Sequence, residues 1–237
     1  NILAKVGRIG VFLYSMRVII TAATNLELDG CAKKASQLFK KSKVKISFHA
    51  TGIGMLASGV KLTQLITAHQ PDLIIQMGIA GSYIKTEPLG KIWVVTSEAI
   101  ADLGVREKGI FTDLFDSQLI KENEAPFKKR KLINQGVKLF NVLKTDTAAA
   151  VTINEITTSP KRIKEIIEAH NPDLESMEGA ALHYVGSLTK TPFIQIRAIS
   201  NYVGERNKAK WKLKESIEQL EAYVLTYLAT LENGLKK

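Results

Sequence analysis

Apolar runs rich in β-branched residues alternate along this chain with helix-length amphipathic segments, and that alternation confines it to an α/β layered fold. The pattern predicts strands at 17–22, 44–49, 73–78, 91–97, 138–143 and 193–199, and helices at 54–69, 159–169, 177–189 and 211–232. The runs at 17–22 and 73–78 are mostly apolar without alternation, as central strands covered on both faces should be. Ser159-Pro160 supplies an N-cap and a first-turn proline for the second helix, and Thr191-Pro192 stops the third. The segment 98–136 carries Gly104, Gly109, Pro126 and mixed charges. It is expected to wander over the surface as loops and short elements and to wall a pocket.

No repeat, low-complexity tract or linker interrupts the pattern, so 16–237 reads as one domain, large enough to bury a core without metal or disulfide support. Residues 1–15 read as an N-terminal extension ahead of Met16. Their apolar run, Ile9 to Tyr14, is too short to span a membrane, and no small-residue cleavage site follows it. The single cysteine, Cys31, excludes an intramolecular disulfide and points to a reducing compartment, the cytoplasm; it reads as a small apolar core residue.

A net charge of +10 raises the question of nucleic acid. The basic runs Lys40 to Lys45 and Lys128 to Lys131 lack the aromatic interleaving of an RNA-stacking surface, and they read as solvated surface. Such a field still helps to collect an anionic small substrate. His49, His69, His170 and His183 show no metal-ligand spacing, and neither metal nor cofactor is expected.

In an open α/β sheet, ligands bind outside the carboxyl ends of the strands. Five small or polar segments are candidates for such a rim: Ala22 to Glu27, Thr51 to Gly54, Gly78 to Ser82, Glu175 to Ala180 and Ser200 to Tyr202. Each alone has a plain structural reading. Thr24-x-x-Glu27 matches a capping box, and Gly52-x-Gly54 is half of a dinucleotide fingerprint on the wrong strand. Gly78 and Gly81 can simply turn the chain, Glu178 gains from a helix dipole, and Asn201 serves equally as a turn residue.

The combination is more specific. Met177-Glu178 followed by Arg197-Ala-Ile-Ser-Asn201 resembles the signature of the purine nucleoside phosphorylase and nucleosidase superfamily, over Met16 to about Tyr227. Within it, the sequence is most similar to the futalosine hydrolases. Thr21-Ala-Ala-Thr24, Ala150-Val-Thr152-Ile153-Asn154, Glu178-Gly-Ala-Ala181 and Ser200-Asn-Tyr-Val-Gly-Glu-Arg-Asn207 carry that likeness, with Trp211 shortly after. The methylthioadenosine/S-adenosylhomocysteine nucleosidases end the Arg-Ala-Ile-Ser segment in aspartate, where this chain has Asn201.

The resemblance implies a central mixed sheet, a homo-oligomer, a small-molecule nucleoside as partner rather than nucleic acid or membrane, and hydrolysis of futalosine to hypoxanthine in menaquinone synthesis. It implies that Glu27 activates the attacking water, that Glu178 accepts hydrogen bonds from the ribose with Met177 packed on the sugar, and that Asn201 faces the purine. Ile79, Ala80, Gly81, Thr152 and Ile153 complete the implied substrate-binding set. These residue types suit the reaction, which builds positive charge on the ribose and negative charge on the departing base. An asparagine can donate to a 6-oxo group while accepting from a protonated N7, whereas an ionised aspartate can only accept.

The first loop, Thr21 to Asn25, offers phosphate neither Gly nor Arg, with Arg106 left as a candidate. Arg206 and Lys208 are the candidates to meet a substrate carboxylate. A methylthioadenosine-type nucleosidase, a 6-oxopurine nucleoside phosphorylase and a non-catalytic nucleoside- or nucleic-acid-binding protein are the alternatives.

Overall fold

Along β1 (Met16–Ala22), Met16, Val18, Ile20 and Ala22 enter one hydrophobic core while Ile19 packs into another on the opposite face. A strand that is apolar on both sides needs cover on both. α1 (Asn25–Leu38) and α6 (Leu213–Leu235) supply one cover, placing Leu28, Cys31 and Ala35 together with Leu220, Val224, Tyr227 and Leu228. α2 (Met55–His69) and α5 (Gly179–Thr189) supply the other through Leu62, Leu65, Ile66, Ala181 and Leu182. The expected three-layer α/β/α architecture is present in a computed structural model that describes residues 15–235. All but Ser15 of the expected extension lies outside the described residues.

The remaining elements are β2 (Val44–Ala50), β3 (Leu73–Ser82), β4 (Ile92–Ile100), the hairpin of β5 (Gly104–Glu107) and β6 (Ile110–Asp113), β7 (Leu132–Ile133), α3 (Val137–Phe140), β8 (Thr147–Thr152), α4 (Pro160–His170), β9 (Leu174–Ser176) and β10 (Phe193–Tyr202). β3 is the pivot of the sheet. One of its edges pairs with β10 from Ile74 to Ser82. The other is shared, with β1 along Leu73 to Gln76 and β9 at Gly81 and Ser82. β10 continues to β4, β4 to β8 and β8 to β9, so five strands close on themselves while β1 and β2 splay outward. The sheet is mixed, antiparallel at β10–β4, β3–β9 and β4–β7 and parallel elsewhere.

Two expectations change. The run 138–143 is not a strand: Val137–Phe140 forms a helical turn that buries Phe140, and Asn141 then closes a local loop. Its Nδ2 donates to the Thr145 carbonyl at 2.7 Å and its Oδ1 accepts from the Thr145 N–H at 3.0 Å, a local alternative to a strand ladder. The sheet position is filled instead by β8, whose Ala148-Ala-Ala150 core has low strand propensity and is held by burial between β4 and β9. The polar helix α1 is also absent from the predicted set, because its buried face is narrow. No helix among the described residues is long and apolar enough to cross a membrane.

Candidate active site

β1 hands over to α1 through Ala23 and Thr24, and this junction fixes Glu27. The Thr24 N–H and hydroxyl both donate to Glu27 Oε2, at 3.1 and 2.9 Å. Glu27 Oε1 accepts from the Ile79 N–H at the end of β3, at 3.2 Å. The capping-box reading of Thr24-x-x-Glu27 and the site reading therefore coexist. The box clamps one oxygen, and Oε1 keeps a free lone pair.

Glu178 reaches the same place by another route. β9 pairs antiparallel with the end of β3, Gly81 opposite Glu175, so the chain beyond it returns alongside Ala80 and Ile79 before α5 begins. Glu178 Oε1 accepts from the Gly54 N–H at 3.0 Å. Gly54 has φ 90°, a conformation costly for any residue with a Cβ, so the loop after β2 presents this donor because a glycine stands there.

Arg197, 2% exposed, lies beneath both carboxylates. Its Nη1 is 4.0 Å from Glu178 Oε2, and its Nη2 donates to Gln76 Oε1 at 2.8 Å. A Cβ at Gly78 would sit 2.2 Å from Nη1 and 3.2 Å from Glu27 Oε1. A glycine on β3 thus makes room for the guanidinium that offsets two buried negative charges.

Above them is a cavity of about 290 Å³. Glu27, Ile79, Ala80, Gly81, Ile153, Met177, Glu178 and Asn201 all line it. Thr152 does not. It is fully buried below the wall, its hydroxyl donating to Glu98 Oε2 at 2.9 Å and accepting from the Ala180 N–H at 2.8 Å. The expected pocket wall from 98–136 is also absent from this cavity: Ala101, Asp102, Gly104, Arg106 and Phe111 line a separate cleft of about 650 Å³ against α4. Arg106 is held there by Glu165 at 2.8 Å, so it takes no part in this site.

Asn201 is oriented by its neighbours. Its Nδ2 donates to the Tyr202 carbonyl at 3.1 Å, which can only accept, and its Oδ1 lies 2.8 Å from the Ser200 hydroxyl. One amide hydrogen and one oxygen lone pair remain for a ligand.

Leu26 belongs to the expected rim segment Ala22 to Glu27, and the apolar wall that it forms with Ile156, Trp211, Leu213 and Ile217 is not among the sequence expectations. The i, i+4 spacing of Leu213 and Ile217 at the start of α6 was the available signal. Cys31 is a core residue, its thiol pushed up to about 12 chiefly by burial.

The sequence model for the phosphorylase superfamily matches residues 31–229. The chain belongs to that superfamily. A curated superfamily relative, futalosine hydrolase of Thermus thermophilus, is 28% identical over 79% of this chain and 82% of its own length. A 5'-methylthioadenosine/S-adenosylhomocysteine nucleosidase of a Shewanella species is 27% identical over 83% of this chain and 84% of its own. Among solved folds, a futalosine hydrolase mutant of Helicobacter pylori superposes with a TM-score of 0.74 at 16% identity, covering 90% of this chain and 99% of that one. The superfamily fold therefore carries Glu27, Glu178 and Asn201 around one cavity in this chain.

Proposed function

We propose that this superfamily member is a nucleosidase that hydrolyses the N-glycosidic bond of a 6-oxopurine nucleoside of the futalosine type, releasing hypoxanthine. The observation that carries the reading is the Asn201 amide. The Tyr202 carbonyl accepts one amide hydrogen and leaves the other, next to an oxygen lone pair, for a base that carries O6 and a protonated N7. Hydrolysis is favoured over phosphorolysis by the cavity lining, which among the described residues holds three carboxylates, Glu27, Glu175 and Glu178, and no cationic side chain. A phosphate dianion beside Glu27 and Glu178 would be repelled, whereas water would be oriented and deprotonated.

The apolar wall of Ile156, Trp211, Leu213 and Ile217 suits an aryl tail. Arg206, 6.0 Å over the Trp211 ring with no ion pair among the described residues, is a candidate cation at that wall for a tail carboxylate. The test is base release in phosphate-free buffer from futalosine and from methylthioadenosine. Hypoxanthine from futalosine alone supports the reading. Adenine from methylthioadenosine instead overturns the role of Asn201, and release that requires added phosphate overturns hydrolysis.

A homo-oligomer belongs to the same reading. Ile53 just before α2 and Leu56 and Val60 within it are 63%, 82% and 53% exposed, and Tyr184 and Leu188 on the adjacent α5 are 38% and 54% exposed. That apolar face begins one residue from Gly54, which holds Glu178, so a second copy seated on it would stiffen the site. Leu56→Glu is expected to convert a dimer to monomer in sedimentation velocity and to raise KM about tenfold, since a desolvated charge costs several kcal/mol. Unchanged sedimentation would remove this face as the interface.

A further inference from the structure

Beneath the cavity, a second polar cluster takes no part in the reading above. Glu98 on β4 is fully buried. Its Oε2 accepts from the Thr152 hydroxyl at 2.9 Å, and its Oε1 lies 2.8 Å from the Gln195 amide nitrogen. Gln195 in turn lies against the ring of His183, which is also fully buried. His183 Nδ1 is 3.0 Å from the Leu132 carbonyl, so Nδ1 must carry a proton. Two buried polar atoms then have no partner: His183 Nε2 and Gln195 Oε1. In a neutral His183 both are acceptors, and leaving two buried acceptors unmade costs more than most single contacts supply.

One dissociable proton, placed in either of two ways, satisfies both atoms. An imidazolium at His183 could donate from Nε2 to Gln195 Oε1, leaving Glu98 ionised. Alternatively Glu98 carries the proton and donates it to the Gln195 oxygen, with the amide turned over so that its NH₂ donates to Nε2 of a neutral His183. The second arrangement keeps every partner satisfied and leaves no ion in the apolar layer between α5 and β10, where Phe193 packs on the His183 ring at 4.9 Å.

We propose that Glu98 is a positioning residue held as a neutral acid, the head of a relay from Glu98 through Gln195 to His183. The relay holds the start of α5, and with it Glu178, through Thr152 and the Ala180 N–H. Gly179 allows it: a Cβ there would lie 1.8 Å from Glu98 Oε1 and 2.4 Å from Gln195 Nε2. The charged and titratable groups that face Glu98 are Arg197 on β10, Glu178 ahead of α5 and His183 within it. A neutral Glu98 leaves the Arg197 charge undivided for Glu27 and Glu178.

Burial pushes the Glu98 carboxyl up to about 7 and the His183 imidazole down to about 4, in keeping with this placement. Because the folded value for Glu98 is raised, its contribution to stability is full below the ordinary carboxyl range and is lost as pH rises through about 7.

Two measurements need no substrate. In the histidine ¹⁵N spectrum at pH 6, His183 is expected as a neutral ring protonated at Nδ1 only, and an imidazolium signal would overturn the proposal. In the infrared, the protonated-acid carbonyl band expected at pH 6 should disappear in Glu98→Gln, and its absence from the wild type would overturn it. Glu98→Gln reproduces the acid, donating to Gln195 and accepting from Thr152, whereas Glu98→Ala breaks the relay.

The kinetic arm rests on the nucleosidase reading. There Glu98→Ala should lower kcat/KM about tenfold, Glu98→Gln should restore it, and only the wild type should lose activity as pH rises through about 7. An alkaline limb shared by the wild type and Glu98→Gln would overturn the positioning role. A wild type inactive on every nucleoside, with the two spectroscopic results as expected, would overturn the functional reading and leave the relay standing.

Discussion

Glu27→Gln is expected to lower kcat for base release by about 10³-fold, within the range of a lost general base, while the protein stays folded. The geometry separates the two consequences. A glutamine at 27 can still accept from the Thr24 N–H and hydroxyl through its oxygen, so the cap on α1 survives. Its NH₂ then meets the Ile79 N–H where Oε1 now accepts, a loss of about one hydrogen bond, or about 1 kcal/mol. That shifts Tm by only a few degrees in a chain of this size. The loss in kcat is larger because the amide has no lone pair left to take a proton from water at that face. Steady-state release of base together with a thermal melt checks both parts. A variant that melts early but turns over within tenfold of the wild type would reduce Glu27 to a capping residue.

That Glu27 both caps α1 and borders the cavity explains why the sequence left the choice open. Thr24-x-x-Glu27 is a sound capping box, and no local pattern says that the clamped carboxylate also borders a cavity. What decides it is β3, whose Ile79 N–H reaches Glu27 from more than fifty residues away along the chain. The layer order was legible because β1 and β3 are mostly apolar without alternation, a pattern that admits few folds. β8 was not legible, since three alanines in a row favour helix locally and only the neighbouring strands make them a strand.

The excursion over 98–136, expected to wall a pocket, lines a cleft against α4, while other segments bound the cavity of Glu27 and Glu178. Most of the cavity wall was named in advance from its small and polar segments. Its aliphatic part at Ile156, Leu213 and Ile217 was not, because an aliphatic residue that lines a pocket looks in sequence like one that fills a core. The Gln76, Glu98, Gln195 and Arg197 cluster could have been noticed as polar residues inside apolar strands. Such residues need partners, and partners across a closed sheet are set by register rather than by spacing.

Asn201→Asp should shift the ratio of kcat/KM between 6-oxo- and 6-aminopurine nucleosides by about 10²-fold toward the amino substrate. With asparagine, O6 receives a hydrogen bond. With aspartate, O6 faces a carboxylate while a 6-amino group gains an acceptor. Each mismatch in a closed site costs about 1–3 kcal/mol, and the two act in opposite directions on the two substrates. Since about 1.4 kcal/mol is tenfold, their sum gives the predicted ratio.

The surroundings add a second consequence. Tyr202 presents its carbonyl 3.1 Å from Asn201 Nδ2, and an aspartate oxygen in that place would set acceptor against acceptor. The variant is therefore expected to lose about 1–3 kcal/mol of stability in the absence of ligand. This part of the wall is built for an amide, so the residue difference that separates this chain from the aspartate-bearing nucleosidases is supported by its neighbours as well. A specificity ratio that stays put while the melting point falls would mean that the amide serves the Tyr202 carbonyl alone. A ratio that moves would place the choice of purine in Asn201 itself.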